Sequence, residues 1–246
     1  MEYVKLNNGV EMPILGFGVY QIPKEDTKRC VLDAIKVGYR SIDTAQSYFN
    51  ESEVGDAILE CGIPRSELFI TTKVWIDNKA IGVSNFYPDR LVDMCLFERK
   101  VIPAVNQVET NPLNQQIKAQ EVMQKYGVHI EAWAPFGEGR NNMFSNPTLK
   151  EIGNKYNKSV AQVILRWLIQ RGVIVVCKST HIDRMQENFD VFDFELSDED
   201  MNIIKKLDSN DSLFFNHQDP NMVEWFDSMV QTRRENDDYR KEKKNF

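Results

Sequence analysis

Short apolar runs alternate with segments of helical period along most of this chain, and that alternation leaves few folds open. Residues 39–43 (YRSID), 68–74 (LFITTKV), 80–84 (AIGVS), 104–109 (AVNQVE), 128–134 (VHIEAWA), 173–178 (VIVVCK) and 190–194 (DVFDF) read as strands. Strands joined by helical crossovers pair in parallel, so the predicted class is α/β with a parallel sheet. Helix starts are marked by Asn50 with Glu53, by Ser159 with Gln162 and by Ser197. Gly38, Gly62, Gly127 and Gly172 stand where left-handed helix ends would fall. Ahead of the first parallel strand, residues 2–6 and 11–15 flank Asn7-Asn8-Gly9, which predicts a β-hairpin placed to plug the floor of a barrel.

Seven strands are visible, whereas a closed parallel barrel uses eight. One connection is also physically too short. About four residues separate the strand ending near Val74–Trp75 from the one starting at Lys79–Ala80, and a parallel crossover needs at least ~10–12. The expectation is therefore a (β/α)8 TIM barrel with an N-terminal β-hairpin, lacking one helix–strand–helix segment of roughly 35–40 residues at Asn78–Lys79. Residues 1–230 are expected to form this single incomplete barrel domain. Residues 231–246, with near-balanced charge and few apolar side chains, are expected to form a solvated tail.

The net charge of −7 argues against a nucleic-acid partner, since phosphate binding by counterion release needs a basic face. No run approaches the ~18 apolar residues of a membrane span. Cys30, Cys61, Cys95 and Cys177 form no CxxC pair, and charged and polar residues follow Met1, so a cytoplasmic location is expected. Neither a metal-ligand cluster nor a Ser/His/Asp nucleophile arrangement is evident.

In a barrel of this kind, chemistry sits where strands end and the following loops begin. Asp43 closes the first strand with Tyr48 in its loop, Lys73 ends the second, and Ser84-Asn85 ends the third. Gln107 and Glu109 follow, then Trp133, then Lys178-Ser179-Thr180. Taken singly, a buried Asp–Lys pair or a strand-end aromatic has an ordinary structural reading. The whole set on one rim favours a functional site. Gly16-Phe17-Gly18 lacks the following helix of a Rossmann fingerprint and reads as a tight turn.

The strings LGFGVYQ, GYRSIDTAQSYFNE, FITTKVW, AIGVSNF, NQVE, EAWAPFG and VCKSTHIDRMQEN, from Leu15 to Asn188, resemble the aldo-keto reductase family, in particular its bacterial diketogluconate and glyoxal reductase type. The resemblance implies a monomeric oxidoreductase that reduces small aldehydes and ketones with NADPH. It implies that Tyr48 is the proton donor, Lys73 the ammonium that makes its phenol more acidic, and Asp43 the group that holds Lys73. Ser84, Asn85 and Gln107 would contact the nicotinamide carboxamide and Trp133 would stack on its ring. Lys178, Ser179, Thr180 and Arg184 would hold the adenosine 2′-phosphate, with Glu187 and Asn188 at the adenine. Tyr20, Trp75, Phe214, Phe215 and Trp225 would line the substrate mouth, although core packing is an equal alternative for these aromatics.

One departure from the family stands out. Its fourth catalytic residue is a histidine at the end of the strand that follows FITTKVW, and none of His129, His181 or His217 occupies that place. Two accounts are open: a longer reductase whose missing segment belongs at Asn78–Lys79, or a naturally short form. The second implies a catalytically impaired NADPH-binding or scaffold protein.

Overall fold

A computed structural model describes residues 1–73, 82–98, 102–217, 219–222, 224–229 and 231–232. Trp75, the junction Asn78–Lys79 and nearly all of the charged tail lie outside these residues. The chain divides into two compact units, Met1–Asp211 and Ser212–Phe246.

The first unit opens with β1 (Tyr3–Lys5) and β2 (Glu11–Pro13), an antiparallel hairpin closed over Gly9 at φ 85°. The parallel strands follow: β3 (Leu15–Gly18), β4 (Ser41–Asp43), β5 (Phe69–Thr71), β6 (Val83–Ser84), β7 (Val105–Glu109), β8 (His129–Trp133) and β9 (Ile174–Cys177). Their order in the sheet is β5-β4-β3-β9-β8-β7-β6, parallel throughout. The crossovers are α1 (Lys24–Val37) after β3, α2 (Glu51–Glu60) after β4, α3 (Pro88–Asp93) after β6 and α4 (Ile117–Lys125) after β7. Between β8 and β9 stand α5 (Pro147–Tyr156) and α6 (Val160–Gln170), and α7 (Ile182–Phe189) and α8 (Asp198–Lys205) complete the unit.

The sheet is rolled. β4 and β7 are four positions apart in it, which on a flat sheet would place them about 19 Å apart at ~4.8 Å per strand. Yet the Gln107 side chain of β7 reaches the Asp43 carboxylate of β4 at 3.2 Å. The two end strands, β5 and β6, each have one partner among the described residues, and they are the strands that flank Asn78–Lys79. The place for an eighth strand therefore falls where the short connection predicts it.

The hairpin closes the lower end as expected. Leu6 and Met12 pack with Ala104 and Ile174, against Val4, Phe69 and Val105, which include the first residues of β5, β7 and β9. β9 is buried along its whole length, and α6 covers it with Val163, Ile164, Trp167 and Leu168, all at most 1% exposed. Each such side chain stabilises the fold by roughly 1.5–3 kcal/mol relative to exposure. The Ser159–Gln162 capping box that starts α6 is formed in both directions.

Three expectations need correction. Leu15–Gly18 is not a turn but a fully buried barrel strand between β4 and β9. Its glycines permit close packing: a Cβ on Gly16 would stand 3.1 Å from Ser41 Oγ and 3.2 Å from Val176 Cγ1. Residues 190–194 form no strand, because side chains of α6 and of the loop before it take their backbone carbonyls. Lys158 and Gln162 donate to the Asp190 carbonyl, and Arg166 donates to that of Val191. Asn50 precedes α2 without capping it through its side chain; its amide is turned inward to the Val19 carbonyl at 3.1 Å.

Among the described residues no helix is long and apolar enough to cross a membrane. Within the second unit, Phe215, His217, Trp225 and Phe226 form a cluster of ring contacts, with Phe215 and His217 centroids 4.6 Å apart.

Candidate active site

All the barrel strands run the same way, so their last residues gather on one rim. Asp43 ends β4, and the loop beyond turns through Gln46–Tyr48, which sets the phenol above the strand end. Lys73 lies two residues past β5. Its Nζ donates to Asp43 Oδ1 at 2.6 Å and Oδ2 at 2.8 Å, to the Thr44 carbonyl at 3.1 Å and to the Tyr48 hydroxyl at 3.3 Å. Lys73 thus touches both of the other residues singled out for proton chemistry. Tyr20 joins them, its ring centroid 4.9 Å from that of Tyr48.

The electrostatics differ from expectation in one respect. Burial pushes the Tyr48 phenol above its ordinary value, and the pull of Lys73 in the other direction does not overcome it. The phenol is therefore held neutral rather than made acidic. For Lys73, burial opposes the charge, and Asp43, Tyr48 and Glu131 together more than offset it, so the ammonium is held above its usual value.

The same layer of the interior extends to β7 and β8. Gln107 Nε2 donates to Asp43 Oδ2 and also to Glu131 Oε1, a short contact. Glu131 is 2% exposed. Burial pushes its carboxyl up to about 7, reinforced by the charge of Asp43 and opposed by Gln107 and Lys73. Sequence reasoning missed this residue. Its signal was a carboxylate two positions before Trp133 in a strand, and hence on the same face as that residue.

Ser84 ends β6 and donates to the Gln107 carbonyl at 3.0 Å; the Trp133 indole donates to Asn85 Oδ1 at 2.9 Å. The residues expected at a nicotinamide are therefore tied to one another across β6, β7 and β8. Asn85 and Ala134, each directly after a strand, take φ of 58° and 48°, a left-handed conformation uncommon outside glycine that sharply redirects the chain at this rim.

Past β9, a cavity of about 500 Å³ is lined by Lys178, Ser179, Thr180, Arg184, Glu187 and Asn188. Ser179 anchors the turn into α7, donating to the His181 carbonyl at 3.1 Å and accepting from its N–H at 3.0 Å. Every residue expected at the adenosine end of a dinucleotide thus borders one cavity. Of the remaining candidates, Trp75 lies outside the described residues, and Phe214, Phe215 and Trp225 belong to the second unit. His129 starts β8, at the end opposite Trp133, and its Nε2 lies 3.0 Å from the Lys5 carbonyl. His181 precedes α7.

The family model described as the Aldo/keto reductase family matches residues 14–80 and 77–209, two segments that meet at the short connection. Glyoxal reductase of Bacillus subtilis (strain 168) is 38% identical over 260 residues, covering 85% of this chain and 93% of that protein. That alignment is longer than the 246 residues of the chain itself, so the relative carries residues without counterpart here. Among solved structures, an aldo-keto reductase from a Medee basin deep-sea metagenome library aligns with TM-score 0.83 and 33% identity, over 88% of this chain and 98% of that one. An aldo-keto reductase of Bombyx mori, solved in complex with NADP, aligns with TM-score 0.80 and 28% identity over 87% and 95%. With the rolled parallel sheet, the polar rim and a family match that breaks only where the strand order does, the chain belongs to the aldo/keto reductase family, whose members are carbonyl-reducing oxidoreductases.

Proposed function

We propose that this protein binds NADPH and reduces small aldehydes and ketones, dicarbonyls among them, with Tyr48 as the proton donor. The observation that carries the reading is the Lys73 ammonium, 3.3 Å from the Tyr48 hydroxyl and held by both oxygens of Asp43. A neutral phenol has a proton to give, and the ammonium beside it stabilises the phenolate that remains.

The residues present fit the cofactor. Lys178 and Arg184 border the cavity and supply the cations that a 2′-phosphate dianion requires, which is the reason for preferring NADPH to NADH. Glu187 and Asn188 on the same wall offer hydrogen-bond partners to adenine. Ser84, Asn85 and Gln107 hold the carboxamide, and Trp133 covers the ring. The bound dinucleotide supplies hydride. The chain's own part is to bind it, to present one face of the ring to the substrate and to deliver a proton from the Tyr48 oxygen to the carbonyl oxygen. The name of the Bacillus relative favours glyoxal-like substrates.

A second reading has its own support: within the first unit His129 lies at the start of β8 and His181 before α7, and the family match is split into two segments at 77–80. On it the chain binds NADPH without efficient turnover. Tryptophan fluorescence quenching by NADPH, measured beside NADPH oxidation with glyoxal, separates the two. We expect binding, a preference for NADPH over NADH, and turnover that Tyr48→Phe lowers by about 10²–10⁴-fold. Binding without turnover selects the impaired form, and equal affinity for the two cofactors refutes the phosphate pocket.

A further inference from the structure

Gln107 and Glu131 stand directly opposite each other in the β7–β8 register, so their side chains leave the sheet on the same face. The single nitrogen of the Gln107 carboxamide lies within hydrogen-bond distance of Glu131 Oε1 and, at 3.2 Å, of Asp43 Oδ2. A carboxamide nitrogen carries two hydrogens, and both are thereby given to carboxyl oxygens. Flipping the amide would set its oxygen against the Asp43 carboxylate, which is ion-paired with Lys73 and accepts but cannot donate, whether or not Glu131 carries its proton. The pair therefore selects one orientation, in which Gln107 presents its carbonyl oxygen away from Asp43 and Glu131. Asp43 alone would hold one hydrogen and leave the amide free to rotate about it; Glu131 supplies the second point.

We propose that Glu131 is a positioning residue, which with Asp43 fixes the Gln107 carboxamide so that its oxygen serves as the acceptor for the nicotinamide amide of a bound dinucleotide. This rests on the cofactor reading above and extends it to a residue that touches neither cofactor nor substrate. The effect of Glu131 must then pass through Gln107 and be confined to the nicotinamide end.

Both consequences can be measured on the full 246-residue chain by titration calorimetry with NADPH and with adenosine 2′,5′-bisphosphate, which carries the adenine and 2′-phosphate but no nicotinamide. Glu131→Leu should weaken NADPH about tenfold, the loss expected for a fixed hydrogen bond, and leave the bisphosphate within about twofold. Glu131→Gln, which keeps an acceptor in place, should stay within about threefold of the parent for NADPH. In a Gln107→Leu background, Glu131→Leu should add nothing further. Equal weakening of both ligands, unchanged NADPH affinity, or additive effects of the two leucine substitutions would each overturn the proposal. Glu131→Ser gives the same comparison should the leucine variant fail to fold. A parent chain that binds the bisphosphate and NADPH equally has no nicotinamide contact for Glu131 to position. One that binds neither brings down the cofactor reading, and this one with it.

Discussion

At the scale of single residues, the cluster proposed for proton chemistry was legible in the sequence and its electrostatic balance was not. Asp43, Tyr48 and Lys73 sit at strand ends that the pattern locates, so their convergence follows from parallel strands sharing a rim. How far each is buried depends on the neighbours that cover it, and burial is what makes the Tyr48 phenol less acidic despite Lys73. Glu131 was invisible for the same reason: as letters it is one charge in an apolar strand, and only the rolled sheet sets it near Asp43, Lys73 and Gln107. Its carboxyl, raised from 4.5 to about 7, makes stability depend on pH in a defined sense. Between those values the folded chain keeps a proton that the unfolded chain releases, so stability is fully present below about pH 4.5 and falls as pH rises through about 7. At about 1.4 kcal/mol per pKa unit, the loss is on the order of 3 kcal/mol. Urea unfolding of the parent and of Glu131→Gln at intervals from pH 5 to pH 8 checks this. The parent should weaken across that range and the variant should not; parallel curves would mean that Glu131 keeps an ordinary pKa.

At the scale of elements, periodicity located the strands that are rich in β-branched residues and missed the one that is not. β3 reads Leu-Gly-Phe-Gly, and two glycines in four residues carry turn signals by every propensity. What makes it a strand is tertiary: β4 on one side and β9 on the other approach so closely that a side chain at Gly16 has no room. Residues 190–194 err in the opposite direction. Their alternation of apolar and acidic residues imitates a strand, while Gln162 and Arg166 of α6, with Lys158 in the loop before it, bind the segment instead. Gly16→Ala tests this account of β3. Its methyl would press on the side chains of Ser41 and Val176 in the two neighbouring strands, which would have to give by a few tenths of an ångström, so the substitution should cost about 1–3 kcal/mol. The same change at Gly55, where a Cβ meets nothing within 4 Å, should be neutral or stabilising, because Gly55 lies within α2. Chemical denaturation of both variants decides the matter, and a Gly16→Ala chain as stable as the parent would show that β3 has space to spare.

At the scale of the whole molecule, the shortfall was the easiest feature to read, since a crossover of about four residues breaks a geometric limit that no packing can relax. The structure places the consequence at β5 and β6, which end the sheet on either side of that connection. Unpaired strand edges are templates for association with other chains, and natural barrels remove them by closing. The proposed chemistry sits at these two end strands, since Lys73 follows β5 and Ser84 ends β6. Inserting between Asn78 and Lys79 the residues that the Bacillus relative carries there without counterpart in this chain, expected to form a helix–strand–helix segment, should therefore act on stability and activity together. A closed barrel of this size gains about 2–4 °C in melting temperature per kcal/mol, so burying two edges should raise it by at least about 5 °C. Turnover of glyoxal should rise at least about tenfold if, as the resemblance implies, the segment carries the strand that bears the expected histidine and restores a second group at the carbonyl oxygen. Light scattering during heating, differential scanning calorimetry and NADPH oxidation read the three effects on the same pair of chains. A restored chain that melts no higher, aggregates as readily and turns over no faster would mean that seven strands and their two edges satisfy this fold as they stand.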